Sequence, residues 1–443
     1  MIKNILKRIW PKSLFFLYHK FLVILAAFVY RWPSRKLIVI GVTGTGGKST
    51  VVNFIGRILE KAGYKCGWAT TFNFKIAEKE WINTTKMTML GRFALQKLLA
   101  EMVKARCQYA IIETSSEGIA QGRHLGINYD VAVFTNLSPE HIESHGGFEK
   151  YRQAKQQLFK NLSRRHKWIK GKLVKKIMAV NLDDKNAEYF LKFPADIKYG
   201  YSISPSQIES GDSEIKMIKA ENIKLNQSGS EFTISDINFK LNLFSNFNIE
   251  NALAAICVAS SQKISLEVCQ KALKEIQNIP GRMELVVDKP FQVIVDYAHT
   301  PDSLEKVYQL LFNIKNPGAK IIAVLGAAGG GRDKWKRPKL GEIATQYCDF
   351  IIITNEDPYD ENPEKILSEI KFGILQSKKQ FAVSNFFEII DRREAIKKAL
   401  EIARPGDIVI ITGKGCEPWI MGPAGQRIAW DDRQTVKELL ARG

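Results

Sequence analysis

Short apolar, largely β-branched runs recur along the chain. Each is followed by a polar or Gly-rich break and then by a stretch with helical spacing. The first is 36–42 (KLIVIGV); others are 109–112, 131–135, 177–181, 293–296, 321–325, 350–354 and 408–412. Such runs read as buried strands. Their alternation with helices predicts an α/β fold of open, mainly parallel sheets covered on both faces. Residues 197–243 are polar and strand-like without helices between, and are expected to form an antiparallel excursion. Pro280-Gly281 is expected to be a junction, giving a central domain over 36–279 and a second βα series, Rossmann-like, over 280–443.

Ahead of the first strand, the apolar stretch 14–30 is broken by His19 and Lys20 and preceded by Lys3, Lys7 and Arg8. Its uninterrupted part, 21–30, is ten residues, too short to span a bilayer. Arg31-Trp32-Pro33 follows it, not a small-residue cleavage site. Two readings stand for residues 1–35: a helix packed on the first domain, or a helix lying on a membrane surface and giving the protein a peripheral membrane contact.

In open parallel sheets, ligands sit beyond the carboxyl ends of the strands. Gly41-Val42-Thr43-Gly44-Thr45-Gly46-Gly47-Lys48-Ser49-Thr50 lies at such a place, between the first strand and a helix predicted over 49–62. Glycines let backbone N–H groups curl around phosphate oxygens, and the helix N-terminus favours anions. Lys48 would reach the β/γ-phosphates of a nucleotide and Ser49 would ligate Mg²⁺. The general GxxxxGK[ST] spacing needs Gly at position 42, where Val42 stands, so the general pattern fails by one residue.

Composition changes this picture little, with one exception. The six cysteines are scattered and form no CxxC pair, which argues against a zinc site or a disulfide framework and fits a reducing, cytoplasmic setting. The exception is a net charge of +19, part of it concentrated in 160–176, which holds Lys160, Arg164, Arg165, Lys167, Lys170, Lys172, Lys175 and Lys176. That cluster reads either as a solvated basic loop or as an attraction for anionic lipid, nucleic acid or phosphorylated substrates. No nucleic-acid motif accompanies it, so no nucleic-acid partner is expected.

GTGGKST resembles the GTxGK[ST][ST] loop of the Mur ligase family, and further segments follow in the family's order. Glu113-Thr114-Ser115-Ser116 with Gln121-Gly122-Arg123 resembles ExSS…QGR. Thr135-Asn136-Leu137 with His141 and His145 resembles TNLxxDHxxxH, and Tyr151 to Lys155 resembles YxxAK. Asn248 and Asn251 fit FNxxNALAA. Pro280 to Glu284, Asp296 to Pro301 and Gly331 to Pro338 look like PGRME, DYAHTP and DRDxxKRP. Gly413-Lys414-Gly415 and Asp432-Arg433 complete the set. The pattern runs from about residue 36 to the C-terminus and is most similar to members that form a UDP-N-acetylmuramoyl-tripeptide.

The resemblance implies an ATP-dependent, ADP-forming acid–amino acid ligase of peptidoglycan synthesis. Such an enzyme turns a carboxylate into an acyl-phosphate and passes it to an amine. It implies ATP held by Gly44, Thr45, Gly46, Gly47, Lys48, Ser49, Thr50, Asn136, Asn251, Arg282, Asp296 and His299. Mg²⁺ would be held by Ser49, Glu113, His141 and a carbamylated Lys155. Lys48, Lys155, His141 and Arg282 take the catalytic roles, with Arg282 neutralising the transferring phosphate. Thr84, Thr85, Ser115 and Arg123 are implied contacts of a nucleotide-sugar peptide bearing the carboxylate. Arg332, Arg337, Asp357, Lys414 and Glu417 are implied contacts of the incoming amino acid. Only 40 residues precede the loop, where the tripeptide-forming members carry a domain for the UDP group, so the chain is expected to lack that domain. The family's DNPR motif, whose Arg contacts diaminopimelate, reads Glu356-Asp357-Pro358-Tyr359; GKGHE reads Gly413-Lys414-Gly415-Cys416-Glu417; and Glu117 stands where a His often follows the serines. Two other readings are carried alongside: a ligase of the same fold building another amide polymer or conjugate, as folylpolyglutamate or cyanophycin synthetases do, and a non-catalytic nucleotide-binding scaffold.

Overall fold

A computed structural model describes residues 12–163, 166–204, 214–226, 229–243, 245–377 and 381–441. The basic residues Lys3, Lys7, Arg8, Arg164 and Arg165 lie outside them. The chain divides into two compact units. One runs to Leu137 and resumes over Phe148–Ile276; the other takes Ser138–Gly147 and the chain from Gln277.

The first unit is built on a nine-stranded sheet. Its order is Ile215–Lys219, Ile197–Ser202, Ile177–Asn181, Val131–Phe134, Ile38–Thr43, Tyr109–Glu113, Cys66–Ala69, Asn73–Ile76, Lys79–Ile82. The first seven pair in parallel and the last two add an antiparallel edge. The central strands are buried on both faces, which is why they read as continuous apolar runs and do not alternate. The expected antiparallel excursion over 197–243 is corrected here. Ile197–Ser202 and Ile215–Lys219 extend the parallel sheet, and only Glu221–Asn226, Gly229–Ile234 and Ile237–Leu241 form an antiparallel meander. Parallel neighbours need a crossover, and the one between Ile177–Asn181 and Ile197–Ser202 holds only the short helix Ala187–Leu191, with little helical pattern to betray it.

The N-terminal helix Lys12–Val29 packs on this unit. Val23, Ala26 and Ala27 are fully buried. No helix among the described residues is long and apolar enough to cross a membrane. A buried ion cluster anchors the chain that follows it. The Asp130 carboxylate sits between the Lys167 amine at 2.6 Å and the Lys176 amine at 3.0 Å, and accepts the Val39 N–H at 2.8 Å. Lys167 also donates to the carbonyls of Ser34 at 2.7 Å and Leu37 at 2.5 Å.

The second unit has a six-stranded sheet in the order Glu284–Val287, Gln292–Val295, Ile408–Ile411, Ile321–Leu325, Phe350–Ile353, Phe386–Glu388. Only the first strand is antiparallel. Val293, Val295, Ile322, Val324, Ile352, Val409 and Ile411 form its core with Ala395, Ile396, Ala399 and Val436. Its helices start where local chemistry dictates. Thr300 and Ser303 make a reciprocal capping box ahead of Pro301–Ile314, Asn362 caps Pro363–Leu375, and Asp391 caps Arg392–Ile402. Each such cap contributes about 1 kcal/mol.

Candidate active site

The strand Ile38–Thr43 delivers the chain into the loop 44–47, and the helix Lys48–Lys61 leaves it. Two glycines are required there. Gly44 has φ +154° and a side chain on it would lie 1.8 Å from Thr135 Oγ1; Gly47 has φ +77° and a side chain would lie 2.2 Å from Asn251 Oδ1. The loop is therefore pressed against Thr135, Asn136 and Asn251, and its shape is fixed from that side. Thr135 Oγ1 donates to the Gly46 carbonyl at 2.7 Å, the Gly46 N–H donates to Asn136 Oδ1 at 2.8 Å, and the Thr45 N–H donates to the Asn136 carbonyl at 2.9 Å. Asn136 thus shapes the loop directly, and Asn251 does so by contact.

At the mouth of the loop the Ser49 hydroxyl donates to Glu113 Oε2 at 2.6 Å, and the Lys48 amine stands 3.9 Å from Glu113 Oε1 while donating to the Thr45 carbonyl at 2.7 Å. Thr50 is buried in the first turn of the helix. Glu113 ends its strand, so its carboxylate emerges at the carboxyl edge of the sheet. It also accepts the Thr71 N–H at 2.9 Å and the Thr71 hydroxyl at 3.0 Å. Thr71 carries no sequence signal beyond standing just after a strand. Lys155 comes from the helix Phe148–Leu162, which points it inward. Its amine is buried, donates to the Gly44 carbonyl at 2.6 Å and lies 4.5 Å from the Tyr151 ring centroid. The Tyr151 hydroxyl meets Thr45 Oγ1 at 3.0 Å, so the Tyr and Lys of YxxAK both touch the loop.

The residues expected to hold the first substrate lie on nearby segments. Thr85 bonds Asn83 through its N–H and hydroxyl, and Asn83 in turn donates to the Thr70 carbonyl; Thr84 and Thr85 are both exposed. Ser115 caps the short helix Ser116–Ala120. Arg123 bonds the Met89 carbonyl and Gln121 Oε1. Glu117, at the position often taken by His, lies in the first turn of that helix.

In the second unit the Arg282 guanidinium lies over the Tyr297 ring at 4.5 Å. Asp296 is spent on the backbone, accepting the N–H groups of Met283 and Ala298 at 2.7 Å each; burial pushes its carboxyl pKa up against the opposing pull of Arg282. Glu140 takes the His299 imidazole at 3.1 Å and stands 3.7 Å from that of His141. Asp333 accepts the N–H groups of Ile142 and Glu143, just after His141. Lys414 is fully buried between Asp357 at 2.8 Å and Glu417 at 2.7 Å. Burial alone would lower its pKa, but the two carboxylates outweigh it and the net shift is upward. The Tyr297 hydroxyl donates to Glu417 at 3.0 Å, which joins Arg282, Tyr297, Glu417, Lys414 and Asp357 into one run of contacts. The sequence reading assigns no role to Tyr297 or Glu140, although both lie inside matched segments, Asp296 to Pro301 and Thr135 to His141.

Arg332 hydrogen-bonds Tyr359. Arg337 is fully buried and directed at Glu369 (2.7 Å), Glu361 (3.0 Å) and the Ala328 carbonyl (3.1 Å), an internal brace between helices. His141 belongs to the second unit, whereas Ser49, Glu113 and Lys155 belong to the first.

A phosphate loop at the carboxyl edge of a parallel sheet, with a lysine, a hydroxyl and a carboxylate gathered at its mouth, defines an α/β enzyme that uses a nucleoside triphosphate. A model of the Mur ligase middle domain matches residues 42–259, and one of the Mur ligase glutamate ligase domain matches residues 281–415. The chain is 35% identical over 424 residues to the UDP-N-acetylmuramyl-tripeptide synthetase of Roseiflexus sp. (strain RS-1), covering 94% of this chain and 81% of that protein. Among solved structures it is similar to a UDP-N-acetylmuramoyl-L-alanyl-D-glutamate–2,6-diaminopimelate ligase (31% identity, TM-score 0.58, 92% of this chain and 78% of that one). It also shares its fold with the folylpolyglutamate synthase of Mycobacterium tuberculosis (15% identity, TM-score 0.66, 89% of this chain and 92% of that one). The chain belongs to the Mur ligase family. It is an ATP-dependent, ADP-forming acid–amino acid ligase, which sets aside the reading as a non-catalytic scaffold.

Proposed function

We propose that this ligase joins the amino group of an amino acid to the free carboxylate of a UDP-N-acetylmuramoyl-peptide, in the cytoplasmic stage of peptidoglycan synthesis. The 35% identity to a tripeptide synthetase supports that acceptor. The observation that carries the phosphoryl chemistry is the meeting of Lys48, Ser49 and Glu113 at the loop mouth. The acceptor carboxylate attacks the γ-phosphorus, ADP leaves, and an acyl-phosphate remains. The amine attacks the acyl carbon, the tetrahedral intermediate expels inorganic phosphate, and one proton is released. Catalysis of such a step is mostly positioning and charge neutralisation. The loop N–H groups and Lys48 bind the phosphates, and Arg282 neutralises the transferring group. Thr84, Thr85, Ser115 and Arg123 hold the acceptor. Asp357, Lys414, Glu417 and Arg332 orient the amino acid, with Arg337 supporting them from inside the fold.

Ser49 Oγ and the Glu113 carboxylate suit Mg²⁺: both are hard oxygen donors, and the ion takes one or two carboxylates and leaves its other positions to phosphate oxygens and water. Among the described residues no cluster of three or more His, Cys, Asp or Glu could hold a metal unaided, in keeping with an ion that arrives with its nucleotide. Mg²⁺ supplies charge neutralisation on the phosphates. His141 and Lys155, the latter as a carbamate and so an anion, are further ligands in this reading.

The test is ADP release by Lys48→Ala in the presence of acceptor and amino acid. Activity should fall by at least two orders of magnitude with circular dichroism unchanged; wild-type turnover would overturn the loop's role.

A further inference from the structure

We propose that the helix Lys12–Val29 and the hairpin Trp168–Leu173 form one surface that docks the enzyme on an anionic lipid bilayer. This reading is independent of the ligase reaction. The helix has two apolar faces. One, with Val23, Ala26 and Ala27, is buried in the unit. The other presents Phe21, Ile24, Phe28 and Val29, spaced i, i+3, i+7 and i+8, with Phe21 61% and Phe28 69% exposed. Because the buried face is fixed by packing, the apolar stripe is held outward without unfolding anything.

A second element repeats the composition. In the two-stranded hairpin Trp168 pairs across from Leu173, and these side chains are 68% and 48% exposed. The hairpin is tied to the helix's exit. Lys167, the residue before it, donates to the carbonyls of Ser34 and Leu37, five and eight residues beyond the end of the helix at Val29. An exposed tryptophan on a short hairpin suits the amphipathic boundary of a bilayer, where aromatic rings with a polar edge concentrate.

Charge selects the lipid over a neutral protein surface. Lys20, Arg31, Arg35 and Lys36 around the helix and Lys170, Lys172 and Lys175 around the hairpin are all exposed. No Asp or Glu occurs in residues 1–59 or 160–176. Of the neighbouring carboxylates, Asp130 is buried with Lys167 and Lys176, and the exposed Asp196 is paired with His166 and the Lys176 N–H. Each basic residue at an anionic leaflet raises partitioning about fivefold, so apolar insertion and charge together give reversible attachment.

The experiment is co-sedimentation of the full-length protein with vesicles of phosphatidylcholine alone and of phosphatidylcholine mixed with phosphatidylglycerol. The protein is expected to pellet with the mixed vesicles at low salt and to be released by added salt. Phe21→Ser with Phe28→Ser, and separately Trp168→Ser with Leu173→Ser, should each lower partitioning at least tenfold. Both pairs should keep the wild-type melting curve and ADP release, since all four side chains are exposed and far in sequence from the loop. Equal partitioning to neutral and mixed vesicles would overturn the proposal. So would loss confined to the helix pair, or a stable dimer whose dissociation exposes these side chains. Failure here with intact ligation leaves the ligase reading untouched.

Discussion

Glu113→Gln separates the structural and chemical duties of one carboxylate. Glu113 Oε2 accepts from the Ser49 hydroxyl and the Thr71 N–H, and Oε1 accepts from the Thr71 hydroxyl. A glutamine of the same shape can place its carbonyl at the Oε2 position and keep both bonds there. Its NH₂ then meets the Thr71 hydroxyl, which can turn to accept it and donate to Thr88 Oγ1, 3.1 Å away. The Ser49 and Thr71 bonds stay satisfied and Lys48, which loses its ion partner at 3.9 Å, keeps the Thr45 carbonyl, so the cost is mainly the difference between charge-assisted and neutral hydrogen bonds, about 1 kcal/mol. The chemical loss is larger, because the negative charge that would hold Mg²⁺ beside Ser49 is gone. Removing one charge-stabilising group from a phosphoryl-transfer site costs about 3 kcal/mol or more in transition-state stabilisation, roughly a hundredfold in rate. Urea unfolding should therefore show a small change, while ADP release falls about a hundredfold or more and needs a higher Mg²⁺ concentration to reach half its maximum. Near wild-type turnover with an unchanged Mg²⁺ dependence would refute the metal role. A stability loss above about 3 kcal/mol would show that the charge holds the fold.

Lys155→Ala is expected to be almost inactive and to regain part of its rate with short-chain carboxylates. Wild-type protein equilibrated with ¹³C-bicarbonate should show a carbamate resonance that Lys155→Ala lacks; absence of that resonance in the wild type would remove the carbamate. Gly47→Ala, which must place a side chain 2.2 Å from Asn251 Oδ1 at φ +77°, should lose nucleotide affinity more than stability, as read by titration with a fluorescent ATP analogue and by melting. Diaminopimelate should not be the preferred amino acid, because Tyr359 cannot make the bidentate carboxylate pair that an Arg makes. Competition among lysine, diaminopimelate and other amino acids at equal concentration decides it, and a strong preference for diaminopimelate would assign that contact to another residue. Asp130→Ala leaves Lys167 and Lys176 without their buried partner and should cost about 3–5 kcal/mol in urea unfolding; a loss below about 1 kcal/mol would contradict the buried cluster's role.

The alternation of apolar runs with helical stretches was enough to read two α/β units, because doubly covered parallel strands are apolar throughout. The strands Ile197–Ser202 and Ile215–Lys219 read as part of an antiparallel excursion because they lie toward the sheet edge and carry Lys198 and Lys216. The loop residues were legible because glycine and lysine at a strand–helix turn have few other uses. Thr71 was not, since a threonine in a strand-following turn is ordinary and only its two bonds to Glu113 distinguish it. Arg337 shows the reverse: its motif suggests a ligand contact, while full burial between Glu361 and Glu369 gives it an internal duty that no spacing announces. The hairpin at Trp168 was visible only as a run of bases. Its exposed apolar pair emerges once Lys167 is seen tied to Ser34 and Leu37.

The most direct test of the ligase reading is mass spectrometry of the reaction of the full-length protein with ATP, Mg²⁺, UDP-N-acetylmuramoyl-L-alanyl-D-glutamate and a panel of amino acids. The expected result is a UDP-N-acetylmuramoyl-tripeptide formed with one ADP and one phosphate per amide bond, and none of it from Lys48→Ala. Binding of ATP with no amide product from any amino acid, or an amide formed only on a different carboxylate acceptor such as a folate, would contradict it.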